Sequence, residues 1–528
     1  MKRYLLLSCL FLIALAANAQ VKFQTLYGDV NLDDAQVVIH TNDGGYLLAG
    51  GTGPNMLDST DITLFRLNAN GDLVWSSKID GYKDDFISDA RQLSDGTFLL
   101  VGTTYSSPID SVYSDILALQ VDDAGFIMWS KVYGGSDYDE AQSLVDLGNE
   151  QFIVLGNTWS FGSVLKSALA MKINAGGDQF WTNISSTTIS NYFYKGAKTD
   201  DGFIAVGGTF NVSGGTNFDH YVSKFDSTGH LIWSKRYGTP GADWSYAIEN
   251  VPGGGYIVAG VSVENTSGGT DQNIFKLDAN GNVVWNFNYG GLQYERPSSV
   301  LQTANGNFVI AGFTNVGDSV NVINQDLLEE IDTDGNLIWA RTYGDVTATS
   351  ECYSMAVTND GYALAGYTIG FQTGNIGDAY FVKTDTAGFS GCYETNFAPI
   401  VNINTFTDST GANDQIIVLN ESTALFNSTL QINQFGQICF TDATTDLPSQ
   451  KMFSLYPNPA SENLMIHFTQ TTHSGVLKIK DLSGRILKSI EVSENTEMSI
   501  PVKELASGLY IMSYENENGT TSTTFIRQ

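Results

Sequence analysis

The sequence predicts an all-β chain: a seven-bladed β-propeller of ~53-residue, four-stranded repeats, followed by a smaller C-terminal region of different composition. Two independent anchors carry the repeat. The first is a tryptophan, at Trp75, Trp129, Trp181, Trp233, Trp285 and Trp339, with a glycine four residues before each (Gly71, Gly125, Gly177, Gly229, Gly281, Gly335). The gaps between these tryptophans are 54, 52, 52, 52 and 54 residues; a seventh copy keeps Gly388 but has Cys392 at the tryptophan position. The second anchor is an aromatic four residues before a glycine, at Tyr46, Phe98, Phe152, Phe203, Tyr256, Phe308 and Tyr362. Both counts give seven copies.

Within the fifth copy the runs are SYAIENV, GYIVAGV, NIFKLD and VVWNFNY, short and rich in Val, Ile and aromatics, which suits strands. PGG and ANG supply tight-turn chemistry between the outer pairs, and ENTSGGTDQ makes a longer loop in the middle. No window keeps a helical period. A repeat near 53 residues is longer than a solenoid coil and fits a four-stranded blade. The tryptophan is expected to fill the wedge between blades, so that Trp285→Ala costs ~3–5 kcal/mol.

The elements follow in chain order. Residues 1–19, MKRYLLLSCLFLIALAANA, have a basic tip, an apolar run and small residues at Ala17 and Ala19, the pattern of a signal peptide. No later segment reaches the ~18 apolar residues of a transmembrane helix. Residues 20–392 form the propeller. Phe23 and Tyr27 repeat the spacing of Trp129 and Tyr133, so residues 21–27 are expected to cross the ring and complete the seventh blade, leaving no open edge. Residues 393–447 read as a connector with small strands. Cys392 and Cys439 flank it and are expected to pair, closing a loop worth ~4 kcal/mol.

The formal net charge is −31 although only 16% of residues are charged, and loss of Lys2 and Arg3 with the signal makes it −33. Such a surface repels phosphate backbones, which disfavours nucleic acid, and leaves cations, glycans and basic partners open. Residues 448–528 hold seven Lys and Arg against eight Asp and Glu, so the acidity belongs to the repeats.

In that tail, Tyr456, Pro457, Asn458, Pro459 and Ala460, the turn from Asp481 to Gly484 and Arg485, and Leu505 with Gly508, Leu509 and Tyr510 form an ordered set. It resembles the type A C-terminal sorting domain of type IX secretion cargo. The resemblance implies a small β-sandwich at 448–528, the type IX secretion machinery as partner, and a secreted or outer-surface location in a Gram-negative bacterium. The LDANGNVVW phrase resembles the strand–turn–strand unit of quinoprotein propellers, which implies a quinone-dependent oxidoreductase as the third reading of function.

Candidate site residues come from two patterns. An acid recurs thirteen residues before the second-strand aromatic, at Asp33, Asp85, Asp139, Asp243 and Glu295. These acids open the innermost strands, so either they ring one mouth of the channel, leaving room there for a divalent cation, or each shapes its own loop through backbone N–H bonds. The long variable loops between second and third strands carry Tyr105, Trp159, Phe161 and Phe371, which either stack on sugar rings or pack onto the blade. No His, Cys or acid set has metal-ligand spacing, and no cofactor is predicted. The first reading is a secreted glycan- or protein-binding propeller without catalysis. A glycan hydrolase or lyase using the acids is the alternative.

Overall fold

The computed structural model describes residues 21–441 and 453–527, except 29–30, 54–59, 108–111, 162–164, 187–188, 211–217, 265, 267, 318–321, 372–376, 411–412, 418–419, 423–426, 432–433, 457–460, 469–474, 481–484, 493–496, 507 and 517–518; within 407–441 it describes backbone only. The signal-peptide expectation for residues 1–19 therefore lies outside the described residues. The described chain is all-β, with antiparallel sheets and no helix. It divides into two compact units, Met1–Ala443 and Thr444–Gln528.

In the first unit each repeat becomes one antiparallel sheet, and there are seven. Sheet two is typical: Asp85–Gln92, Phe98–Thr104, Asp115–Val121 and Ile127–Gly134 pair in that order. Its middle strands are buried along their whole length, as expected for apolar runs covered on both faces. The first strands of successive sheets touch in sequence order, and Ser350–Thr358 of the seventh touches Val37–His40 of the first. Sheet seven lacks a fourth strand of its own. Lys22–Tyr27 supplies it, pairing with Asp378–Asp385 so that Phe23 faces Lys383.

Each sheet is then joined by a fifth strand that the sequence did not announce. Residues 394–441 run along the outer edges in reverse order of the sheets. Glu394–Asn396 pairs with sheet six, Ile400–Ile403 with five, Thr407–Thr410 with four and Asn413–Ile417 with three. Asn420–Ser422 and Asn427–Gln431 continue on sheets two and one, and Gln434–Thr441 ends on Lys22–Tyr27 of sheet seven. The connector is thus a belt.

The repeated residues couple neighbouring sheets. A side chain on Gly281, Gly229 or Gly125 would collide with the preceding sheet's tryptophan, Trp233, Trp181 or Trp75. The tyrosine four residues after the tryptophan donates to that same glycine's carbonyl: Tyr237 Oη to Gly281 O at 2.7 Å, with Tyr133, Tyr289 and Tyr343 bonding Gly177, Gly335 and Gly388 likewise. These tyrosines are fully buried. The tryptophans are only half-buried, because they sit at the outer end of the junction; the cost of removing one falls below the range expected from a closed wedge.

A second device recurs in the first strands. Six of them carry a β-bulge opposite the second-strand glycine, for example between Phe193 and Lys195, where Gly207 faces Phe193. A Cβ on Gly207 would meet the Tyr192 carbonyl, so the close approach requires glycine.

The second unit has a three-stranded sheet (Phe453–Tyr456, Asn463–Phe468, Glu497–Pro501) and a four-stranded one (Ile486–Val492, Gly475–Lys480, Gly508–Asn516, Gly519–Arg527). Leu464, Ile466 and Ile500 of the first meet Leu477, Ile479, Met512, Tyr514 and Phe525 of the second in one core. Tyr510 is buried there, stacked on Phe525, with its hydroxyl donating to Ala506 O at 2.8 Å. Pro457, Asn458, Pro459 and Gly484 lie outside the described residues, as does the side chain of Tyr456.

Candidate functional site

Four of the five recurring acids are drawn into their own loops. Asp139 Oδ2 accepts from Gly135 N–H at 2.9 Å and Ser160 Oγ at 2.6 Å. Asp243 Oδ2 accepts from the backbone and hydroxyl of Thr239, Asp85 Oδ2 from Ser106, and Glu295 from Gly291 N–H and Thr314. Asp33 donates its own N–H to Gly377 O at 2.9 Å. All five are buried, and none lines either of the two cavities that follow. Asp85, Asp243 and Glu295 instead feel the third-strand acids Asp61, Asp219 and Asp271 of the preceding sheet. Burial pushes the Asp85, Asp139 and Asp243 carboxyls up to about 6. Among the described residues no three His, Cys, Asp or Glu side chains converge.

The concave chemistry lies elsewhere. A cavity of about 300 Å³ receives one residue from each of the seven sheets: Gln36, just before Val37–His40, and Ser88, Gln142, Tyr194, Tyr246, Ser298 and Tyr353 of first strands. The last six are the bulged residues, each lacking a partner in its ladder. The bulge turns one side chain per strand into this cavity, so one sequence device repeated in six sheets builds the wall.

Beside it opens a cleft of about 610 Å³, lined by Trp159, Tyr192, Tyr194, Phe210, Phe218, Trp244 and Tyr246, with Lys166. Tyr194 and Tyr246 line both cavities, so the two share a wall. Their rings lie 5.3 Å apart, and Phe218 meets Trp244 edge-on at 5.7 Å. The Lys166 ammonium sits 4.6 Å from the Trp159 ring centre and 5.0 Å from that of Tyr192, with Glu140 at 3.7 Å. Burial lowers the Lys166 pKa and pushes Tyr194 up to about 12. The Arg296 guanidinium lies 4.2 Å over the Tyr246 ring on the side of the smaller cavity.

Deeper along the first strands, Lys195 reaches Asp89 at 3.2 Å, and Asp89 also holds Arg91 and the backbone of Leu144. Burial alone would raise the Asp89 carboxyl, but Arg91 and Lys195 hold it well below the usual range.

Of the loop aromatics, Trp159 alone reaches the cleft. Phe161 packs onto Gly135 and the core of sheets two and three, and Phe371 meets Tyr380 and Tyr393. Tyr105 is half-buried, its N–H bonded to Asp84 O. Tyr192, Tyr194, Trp244 and Tyr246 were missed because they lie on first strands, not loops. Their signal is a near-constant offset: Tyr194 and Tyr246 stand thirteen and fourteen residues before Gly207 and Gly260.

Cys392 is disulfide-bonded and Cys352 is a buried free thiol; the Cys439 side chain lies outside the described residues. Gln24 of the first strand accompanies both flanking cysteines, its amide donating to the Cys392 carbonyl and its backbone in register with Cys439.

Fold and cavity together define an all-β repeat protein with an aromatic-walled cleft. Residues 454–528 match the family described as the secretion system C-terminal sorting domain. The chain carries the sorting domain of type IX secretion cargo, which marks it as a secreted or cell-surface protein that engages that machinery. No helix among the described residues is long and apolar enough to cross a membrane. Among curated proteins none matches this chain. The crystal structure of Sqt1 from Chaetomium thermophilum is similar at 9% identity, covering 69% of this chain and 100% of that one, with a TM-score of 0.36. The BSP domain of a biofilm associated protein is similar at 10% identity, covering 89% and 75%, with a TM-score of 0.13. At those scores neither likeness bears on fold or function.

Proposed function

We propose that residues 21–441 form a seven-bladed β-propeller, exported by a Gram-negative bacterium, that binds a glycan in the aromatic cleft without catalysing a reaction. The cyclic contacts of the first strands support the ring, and the packed two-sheet core supports a β-sandwich for the sorting domain. The observation that carries the binding reading is the cleft itself: Trp159, Tyr192, Trp244 and Tyr246 offer flat apolar faces beside polar groups, the surface on which pyranose rings stack. A hydrolase would set two carboxyls of different pKa across one cavity. Asp34 is the one acid lining either cavity, and it already accepts from Gly51 N–H and Gln36. The reading includes a disulfide from Cys392 to Cys439 that ties the belt's two ends.

The test is a glycan-array and thermal-shift screen of the mature chain beside its Trp244→Ala and Trp159→Ala variants. A glycan should raise the melting temperature of the parent, and each variant should bind it at least tenfold more weakly while melting normally without ligand. Binding untouched by both substitutions would remove the cleft from the account.

A further inference from the structure

The structure assigns an acidic preference to this cleft: we infer that its glycan carries uronic-acid carboxylates, with sugar rings on Trp244 and Tyr246 and a carboxylate on Arg296. The inference rests on the glycan-binding reading above and deepens it.

Cations are scarce in a chain of net charge −31, and those around the axis are nearly all matched. Lys195 and Arg91 share Asp89, and Lys166 has Glu140. Arg296 differs. It lines the smaller cavity, its Nε is buried without a hydrogen-bond partner, and among the described residues no carboxylate comes within 4.0 Å of it. Its charge is met only by the Tyr246 face at 4.2 Å and the Phe313 face at 5.9 Å. A half-buried guanidinium with a shielded, unpaired Nε favours a ligand that brings the missing anion, and its planar fork suits a carboxylate.

The surrounding residues agree. Gln36, Ser88, Gln142 and Ser298 line the same cavity as neutral donors and acceptors for sugar hydroxyls. The cavity's own acid, Asp34, is committed to Gly51 N–H and Gln36 and makes no ion pair with the arginine. Tyr246 stands between Arg296 and the cleft, which places the anion site one wall away from the stacking faces. A quaternary-ammonium ligand is disfavoured, since the Lys166 ammonium already lies against Trp159 and Tyr192.

The experiment titrates the mature full-length chain with oligo-uronates (galacturonate, mannuronate and glucuronate), their methyl esters, and a sulfated neutral chain. At least one oligo-uronate should bind tenfold or more tightly than its ester, weakening as salt rises. Arg296→Gln should abolish that difference, and Trp244→Ala should weaken acid and ester alike. Equal binding of acid and ester, or a preference that survives Arg296→Gln, overturns the acidic assignment and leaves the glycan reading standing. Binding of the sulfated chain alone overturns the carboxylate. If no chain binds and no variant changes that, the glycan reading fails with it.

Discussion

Tyr289 shows how one side chain joins two sheets. Its ring is fully buried and its hydroxyl donates to Gly335 O in the turn of the next sheet. Trp285, four residues earlier, lies half-exposed with its indole N–H on Thr333 O at 3.1 Å. Tyr289→Phe should therefore cost ~1–2 kcal/mol by orphaning a buried carbonyl. Tyr289→Ala should cost more than Trp285→Ala, ~3–4 against ~2 kcal/mol, in chemical denaturation. The reverse order would show that the indole, not the phenol, holds the junction. Buried acids act at the same scale. Asp85, Asp139 and Asp243 have folded pKa values near 6, above the ordinary 3.8, so the folded state binds the extra protons. Their stabilisation is present below pH 3.8 and is lost as pH rises through 6. Asp89 runs the other way: held low, it stabilises above the ordinary carboxylate value and is lost as pH falls. Set by these four groups, the melting temperature should peak a little below the ordinary carboxylate value of 3.8 and fall as pH rises through 6. Asp243→Asn, which keeps an acceptor for Thr239, should flatten the fall between pH 5 and 7. An unchanged alkaline slope would show that Asp243 is not charged at a cost.

At the scale of elements, the strands of the repeats were legible because each spends its residues on alternation, turn glycines and a fixed aromatic. The closing strand Lys22–Tyr27 was legible for the same reason, since Phe23 and Tyr27 copy the Trp–Tyr spacing. The belt was not. Its strands are as short as Asn420–Ser422, and they add to edges already formed, so backbone pairing fixes them and side-chain pattern does not. The cleft was half legible: Trp159 stands on a variable loop, where exposed aromatics draw notice, whereas Tyr194 and Tyr246 look like ordinary strand residues until the bulge turns them inward. Because the belt begins after Cys392 and ends on the strand carrying Phe23, the disulfide should hold both ends at sheet seven. Replacing Cys392 by Ser should speed amide exchange in Gln434–Thr441 and Lys22–Tyr27 first, with the middle strands of sheets two to five unchanged. Uniform acceleration across all sheets would mean that the bond stabilises the unit globally and does not clasp an edge.

At the scale of the molecule, acidity and sorting are divided between two units. Residues 448–528 are nearly neutral, and the charge that keeps the chain soluble lies on the repeats. The sheets of the Thr444–Gln528 unit are built from its own strands and enclose their own core, from Leu464 to Phe525. A unit with its own core folds on its own account, so its job can be separated from ligand binding. Deleting residues 444–528 should leave the melting temperature of the repeat unit and its affinity for a cleft ligand unchanged, yet abolish appearance of the protein outside the cell. Joining those residues to an unrelated exported protein should carry that protein to the surface or medium. Tyr510→Ala, which removes the ring stacked on Phe525, should reduce export without touching the repeats. A truncated chain that still reaches the medium would break the link between this sandwich and secretion, whereas one that no longer melts cooperatively would show that the repeat ring needs the sorting unit to stand.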